Sequence, residues 1–375
     1  MIATSNADLA VFAVVVLARL LVPLAIFRFP LPAIVASLII DAADQTIFQN
    51  NTDLDLTSYQ GYDKALDIYY LTIAYISTFR NWQNPAALTV ATFLWYYRLV
   101  GVTLFELTGW RPLLLIFPNT FEYFFIFVAI VQTKWSMSRL SGRQVVLSAA
   151  LIWIFIKLPQ EYWIHIAQLD TTDFLKQDIF GVDSTDSWGT AFGNRPIVAT
   201  LIAAAIVGLI AVAVHFWRKL PPADHSFTLD SDKNVATADT LAPPSSWSAG
   251  LIEKIVLLSL VLIIFAEGIP SMTATIPRIL LAVVVIVSAN AALSQVLRGR
   301  ARVGKAWQSA GLTFVVTLIL NIGIFAVLRI IVPAGDEGAS QNAIAFYLLL
   351  ISLIITLFDR YHARRRPAGL HWNVA

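Results

Sequence analysis

Long apolar runs recur along the chain, separated by short polar stretches, and this alternation dominates every other signal. Eleven runs stand out, at roughly 9–27, 30–48, 64–79, 87–107, 112–133, 143–158, 196–217, 250–267, 276–297, 309–332 and 342–359. Most approach the roughly 20 residues that a helix needs to cross the hydrocarbon of a bilayer. The pattern predicts an all-α, polytopic membrane helix bundle. The second run is the weakest, because its apolar part is short and leads into Asp41 and Asp44. Pro30 and Pro32 suit its first turn, where a missing backbone N–H costs nothing.

Two interruptions are longer. The segment 159–194 follows the sixth run and turns acidic at Asp170, Asp173, Asp178, Asp183 and Asp186. It opens with Glu161, Tyr162, Trp163 and His165, and its aromatic rings suit a helix lying at the headgroup level. The segment 220–249 is polar, carries two Pro-Pro pairs and reads as a flexible cytoplasmic linker. The expected organisation is a six-helix part over 1–158 and an acidic extracytoplasmic loop with a seventh helix over 159–219. The linker and a four-helix part over 250–375 follow. No internal repeat is evident.

Composition agrees with this reading. Hydrophobic residues make up 58% of the 375 and charged residues only 13%, against about 25% charged in soluble domains. The net charge of +2 argues against a nucleic-acid partner. Cysteine is absent, so disulfides and thiolate metal sites are excluded. The first run is flanked by Asp8 rather than by basic residues and reads as a retained helix.

Positive charge alternates with the runs. One side collects Arg28, Arg80, Lys134, Arg139, Arg143, Arg218, Lys219, Arg298, Arg300, Arg302, Lys305 and Arg364 to Arg366. The other collects Asp8, the aspartates between 41 and 67, the loop after 159, and Asp336 with Glu337. The excess of Lys and Arg in cytoplasmic loops orients the chain. It predicts a plasma (inner) membrane protein with the N-terminus outside, the C-terminus inside and the aspartates facing outward.

Ionisable groups inside spans are costly and mark candidate sites. Arg98 and Glu122 lie about equally far from the turn near Gly109, so they are expected at one depth and as a pair. They either lock two helices together or bind an anionic substrate group, for which a guanidinium is suited. Phe117, Pro118 and Asn119 break the helix just before Glu122, which frees backbone groups that need partners. Arg19 is placed by the same reasoning to meet Asp41 near the outer surface. Glu161 and His165, four apart, are expected on one helix face, as an acid–base pair or simply as satisfied polar groups.

The densest polar group is Asp41, Asp44, Asp63 and Asp67. Spacings of three and four put each pair on one helix face. Carboxylates at a helix C-terminus oppose its dipole, so Asp41 and Asp44 need a nearby cation. Arg19 is one candidate. A divalent metal shared with Asp63 and Asp67 is another, since Mg²⁺ favours a few carboxylates plus substrate phosphate.

This order of aspartates resembles the four-aspartate pattern of the CDP-alcohol phosphotransferases, and Arg19 followed by Pro23 resembles their first helix. Gln45 stands where that family has a glycine, and Phe48-Gln49 where it has Ala-Arg. The resemblance covers the first half of the chain. It implies Mg²⁺ or Mn²⁺ on Asp41, Asp44 and Asp63, with Asp67 as the base on an acceptor hydroxyl, and Arg19, Arg98 and Glu122 become candidates for substrate binding. The expected activity is metal-dependent transfer from a phosphorylated lipid or lipid-linked donor, with membrane lipid as partner. A transporter using Arg98 and Glu122, and a non-catalytic scaffold or assembly subunit, are the alternatives.

Overall fold

The computed structural model describes residues 5–53, 59–169, 171–233, 249–268, 275–299, 310–331 and 341–362. Arg300, Arg302, Lys305, Asp170, Asp336, Glu337 and Arg364 to Arg366, used above to orient the chain, lie outside the described residues. The described residues form helices and turns, with no strand among them.

The helices are α1 (Asn6–Leu21), extended by a 3₁₀ turn Val22–Phe27, then α2 (Pro30–Asn51), α3 (Tyr59–Asn81) and α4 (Pro85–Thr108). Next come the short α5 (Pro112–Ile116), α6 (Thr120–Gln132) and α7 (Gly142–Ile166). After the acidic segment stand α8 (Trp188–Asn194) and α9 (Pro196–Arg218). The remainder is α10 (Ala249–Gly268), α11 (Ile276–Gly299), α12 (Ala310–Ile331) and α13 (Gln341–His362).

Nine helices among the described residues are long and apolar enough to cross a membrane, so the protein is a helical, multi-pass membrane-type bundle. The two expected spans outside that nine are α3 and α10, whose 23 and 20 residues carry more charge. The reason is position. α3 is the hub, packed against α1, α2, α4, α10 and α13, and its residues from Ala65 to Ile76 are largely buried. A helix shielded by its neighbours needs no lipid-facing apolar surface, so polar residues survive on it.

Around α3 the core is aromatic. Tyr75 stacks on Trp95 at 5.9 Å and meets Phe79 edge-on at 4.9 Å, and Trp82 stacks on Phe125 at 5.6 Å. The C-terminal helices join the same core through α10 and α13, with Leu257, Val261, Phe265, Ile354 and Phe358 fully buried in it. The linker therefore divides the sequence and not the core. Within the C-terminal helices a polar ladder ties α11 to α12 and α13. Asn290 donates to Asn321 at 2.6 Å, and Asn321 donates to Ser352 at 2.9 Å.

Three expectations change. The sixth span does not stop at residue 158. α7 runs on to Ile166 through two π-helical stretches, Ile152–Lys157 and Tyr162–Ile166. A proline ring clashes with the carbonyl four residues back in a regular helix, and the wider π turn before Pro159 accommodates it. Glu161 and His165 accordingly belong to a long helix rather than to a separate interfacial one. The aspartates of α2 are not at its end either, because the helix continues for seven residues past Asp44. Finally, the first part of the linker is pinned. Trp135 Nε1 donates to the Pro221 carbonyl at 3.1 Å, Thr228 N to Thr133 at 3.0 Å and Ser231 N to Arg28 at 2.8 Å. Arg28 pairs with Asp230 at 3.2 Å, and Arg80 pairs with Asp232. Residues 234–248 lie outside the described residues.

Close packing around the α5–α6 break is exacting. A Cβ on Gly101 of α4 would collide with the Cβ of Phe117. Gly101→Ala is expected to destabilise the protein by about 1–3 kcal/mol, the usual cost of overpacking. Thermal unfolding of the detergent-purified variant checks this, and an unchanged midpoint would contradict it.

Candidate functional site

Four carboxylates converge on one guanidinium. α1 and α2 form an antiparallel hairpin through the turn at Arg28 and Phe29, which brings Arg19 level with Asp41 and Asp44. The N-terminal turns of α3 add Asp63 and Asp67. Arg19 Nη1 donates to Asp44 and, at 2.9 Å, to Asp63. Its Nη2 donates to Asp41 and, at 2.9 Å, to Asp67. The expected Arg19–Asp41 pair is present, away from the tip of α2. Asp44 is seven residues from the end of α2, about 10 Å at about 1.5 Å per residue.

Burial differs sharply within the group. Asp44 and Arg19 are enclosed, at 0% and 3% side-chain exposure, while Asp41, Asp63 and Asp67 keep 23%, 31% and 31%. Asp44 thus sits behind the guanidinium, and the other three face the open side. Carboxylate oxygens of Asp41, Asp63 and Asp67 lie within 4.8 Å of one another, a spacing that suits a shared metal ion. This trio differs in one member from the set the resemblance implies, with Asp67 in place of Asp44. Counting these five groups with every carboxyl ionised, four negative charges meet one positive charge, a formal balance of −3. Tyr62 flanks the group, its ring centroid 5.8 Å from the Arg19 guanidinium carbon.

A second polar cluster lies further along α3, reached through Tyr70, one turn on from Asp67. The break at Phe117 to Asn119 frees the Phe117 carbonyl, and Arg98 Nη1 donates to it at 3.0 Å. The expected Arg98–Glu122 pair is replaced. Arg98 lies 3.9 Å from Glu161 on α7. Glu122 accepts from Tyr70 of α3 and from Asn119 Nδ2 at 3.0 Å, with Lys157 Nζ 4.0 Å away. The physical reason is the length of α7: its extension past Pro159 carries Glu161 to the depth of Arg98. Glu161 also accepts from the Asn119 backbone N–H at 2.9 Å, which fills the α6 N-terminus. Arg98 and Arg19 are therefore both engaged by protein groups. His165 Nε2 lies 3.0 Å from Glu161, so the expected shared face is present. Arg98 Nε, Asn119 Oδ1 and Thr120 Oγ1 are buried at the break without a hydrogen-bond partner among the described residues.

Lys157 and Tyr70 were not singled out from the sequence. Lys157 had a usable signal, as a lone charge inside an apolar run. Tyr70 had none, since a tyrosine in a helix rich in tyrosines reads as packing.

Comparison with family models, with curated proteins and with solved structures gives no match. The class that fold and site define is thus a multi-pass helical bundle with a charged layer inside it.

Proposed function

We propose that this protein is a divalent-metal-dependent transferase acting on a phosphorylated lipid or lipid-linked donor at the membrane. The observation that carries the reading is the aspartate group: three carboxylates within 4.8 Å of one another, beside a single guanidinium. One arginine leaves a large excess of negative charge in a partly enclosed place, and such an excess favours a further cation. Asp41 and Asp63, with Asp67 beside them, are the residues to hold Mg²⁺ or Mn²⁺, and Asp44 anchors Arg19 behind them. A bound divalent ion would draw in phosphate oxygens and offset their charge. In transfer, the acceptor hydroxyl gives its proton to Asp67 as its oxygen bonds phosphorus, and the bond from phosphorus to the donor's leaving group breaks. We place α3 and α10 among the spans, for eleven passes, with the N-terminus outside and the C-terminus cytoplasmic in the plasma membrane.

The test is thermal stability in detergent with and without Mg²⁺ or Mn²⁺. An ion at 100 times its dissociation constant stabilises the folded state by about 2.7 kcal/mol. That gain is expected in the wild type and lost in Asp63→Asn. No response to either ion in the wild type would rule the reading out.

The transporter reading has one observation in its favour, the second polar cluster at the broken α5–α6 helix. Ion flux in proteoliposomes that Glu122→Gln abolishes, in a protein indifferent to divalent ions, would replace the transferase with it.

A further inference from the structure

Apart from the aspartate group, the structure strings titratable side chains into a line that runs from the surface to the centre of the bundle. His165 stands at its outer end with 20% side-chain exposure, and its Nε2 is 3.0 Å from Glu161 Oε2. Glu161 Oε1 is 3.9 Å from Lys157 Nζ, which is 4.0 Å from Glu122 Oε2. Glu122 Oε1 accepts from the Tyr70 hydroxyl. Exposure falls along the line, from 20% at His165 to 5% at Glu161, 4% at Lys157 and 5% at Glu122.

Helix geometry explains how three of these groups align. Lys157, Glu161 and His165 are four apart, whereas a regular α-helix turns every 3.6 residues and would rotate each successive group around the axis. The π-helical stretches Ile152–Lys157 and Tyr162–Ile166 have wider turns. The step from Lys157 to Glu161 is an α-helical turn, and the slower rotation of Tyr162–Ile166 over the step from Glu161 to His165 offsets its drift, so the three side chains keep one face. Such π turns are rare and gather at functional sites.

We infer that His165, Glu161, Lys157 and Glu122 form a proton-carrying chain linking the outer end of α7 to Tyr70 in the middle of the bundle. Each hop breaks one O–H or N–H bond and makes the next. The Lys157 ammonium gives a proton to the Glu122 carboxylate, the amine left behind takes the proton that His165 has passed to Glu161, and the net result is one proton delivered inward. The Lys157 gaps exceed hydrogen-bond length, and its unbranched stem lets the ammonium swing to either carboxylate. The surroundings suit this traffic. Glu161 also faces Arg98 and the Asn119 N–H, Lys157 also faces Gln160 at 2.9 Å and the Tyr123 ring at 4.4 Å, and Glu122 also faces Asn119. Arg98 and Asp41 act on Glu122, and Arg98 and Asp67 on Lys157, at longer range. Two cations, Arg98 and Lys157, balance two carboxylates, so one extra proton changes the cluster from neutral to a single charge. None of its members is among the aspartates proposed to hold the metal.

The experiment is infrared difference spectroscopy on the full-length protein in nanodiscs after a rapid pH jump between roughly pH 4 and 9, the range in which carboxyl and imidazole groups exchange protons. A carboxyl band that Glu122→Gln removes is expected to follow the jump. In His165→Gln the same band should reach the same amplitude at least about tenfold more slowly, a loss within the range that positioned acid–base groups contribute. His165 is partly exposed, so this variant is expected to keep the wild-type thermal midpoint. An unchanged rate in His165→Gln, or the absence of any band assignable to Glu122, would overturn the proposal. Divalent-ion stabilisation measured on the same His165→Gln sample is expected to be intact, which separates failure of the chain from failure of the metal reading.

Discussion

Replacing Arg19 with methionine is expected to be the most damaging single change in the protein, lowering stability by about 3–5 kcal/mol, the range for breaking a buried ion pair from one side. Methionine keeps most of the side-chain volume and removes only the charge and the donors. What remains is Asp44, fully enclosed, and Asp41, Asp63 and Asp67 around it, with the guanidinium that touched all four gone. Arg19→Lys should recover only part of the loss. An ammonium carries the charge but not the planar fork that reaches two carboxylates through each terminal nitrogen. Mn²⁺ is expected to raise the thermal midpoint of Arg19→Met by more than it raises the wild type, because the cation then serves carboxylates that arginine no longer serves. Thermal unfolding in detergent reads all three outcomes. A midpoint for Arg19→Met within a degree or so of the wild type, corresponding to about 1 kcal/mol, would contradict the arrangement.

The second large effect is expected at Glu161. Glu161→Gln removes the carboxylate that accepts from the Asn119 N–H at 2.9 Å and from His165 at 3.0 Å, and that faces Arg98 and Lys157. Two buried cations then share Glu122 alone, and a loss of about 3 kcal/mol follows from the uncompensated charge. The double variant Glu161→Gln with Lys157→Met restores the balance of one cation to one carboxylate. It should be more stable than Glu161→Gln, since removing both members of a buried pair often costs little. A double-mutant cycle measures this coupling. Simple additivity of the two losses would show that the pair does not interact.

Much of this architecture is legible in the chain because lipid imposes a simple rule on the helices that touch it. The runs at 9–27 and 196–217 coincide closely with described helices that are little buried and present apolar groups outward, and the more buried 112–133 and 342–359 coincide because the core they face is itself apolar. The rule fails where a helix touches only protein. The run that forms α3 is one of the two shortest, and α3 is the buried hub. It also fails at Pro159, which ends most helices and here sits between two π stretches. The same proline hides a contact between helices. Arg98 and Glu122 flank their shared turn about equally, but a span ending at residue 158 leaves Glu161 in a separate interfacial helix, so the partner of Arg98 is out of view. Arg19 was placed correctly because hairpin counting needs only two helices. Contacts between helices distant in sequence carry no periodic signal. The close backbone approach of Gly61 to Gly268 and the Asn290–Asn321–Ser352 ladder could not be read that way.

The central claim is that the aspartates of α2 and α3 share one divalent cation beside Arg19. Electron paramagnetic resonance of the purified protein titrated with Mn²⁺ tests it most directly. One tightly bound Mn²⁺ per chain is expected, displaced by Mg²⁺ and abolished in Asp41→Asn and in Asp63→Asn, while Glu122→Gln binds it as the wild type does. Free Mn²⁺ at every step of the titration, or a bound ion that survives both aspartate substitutions, would contradict it.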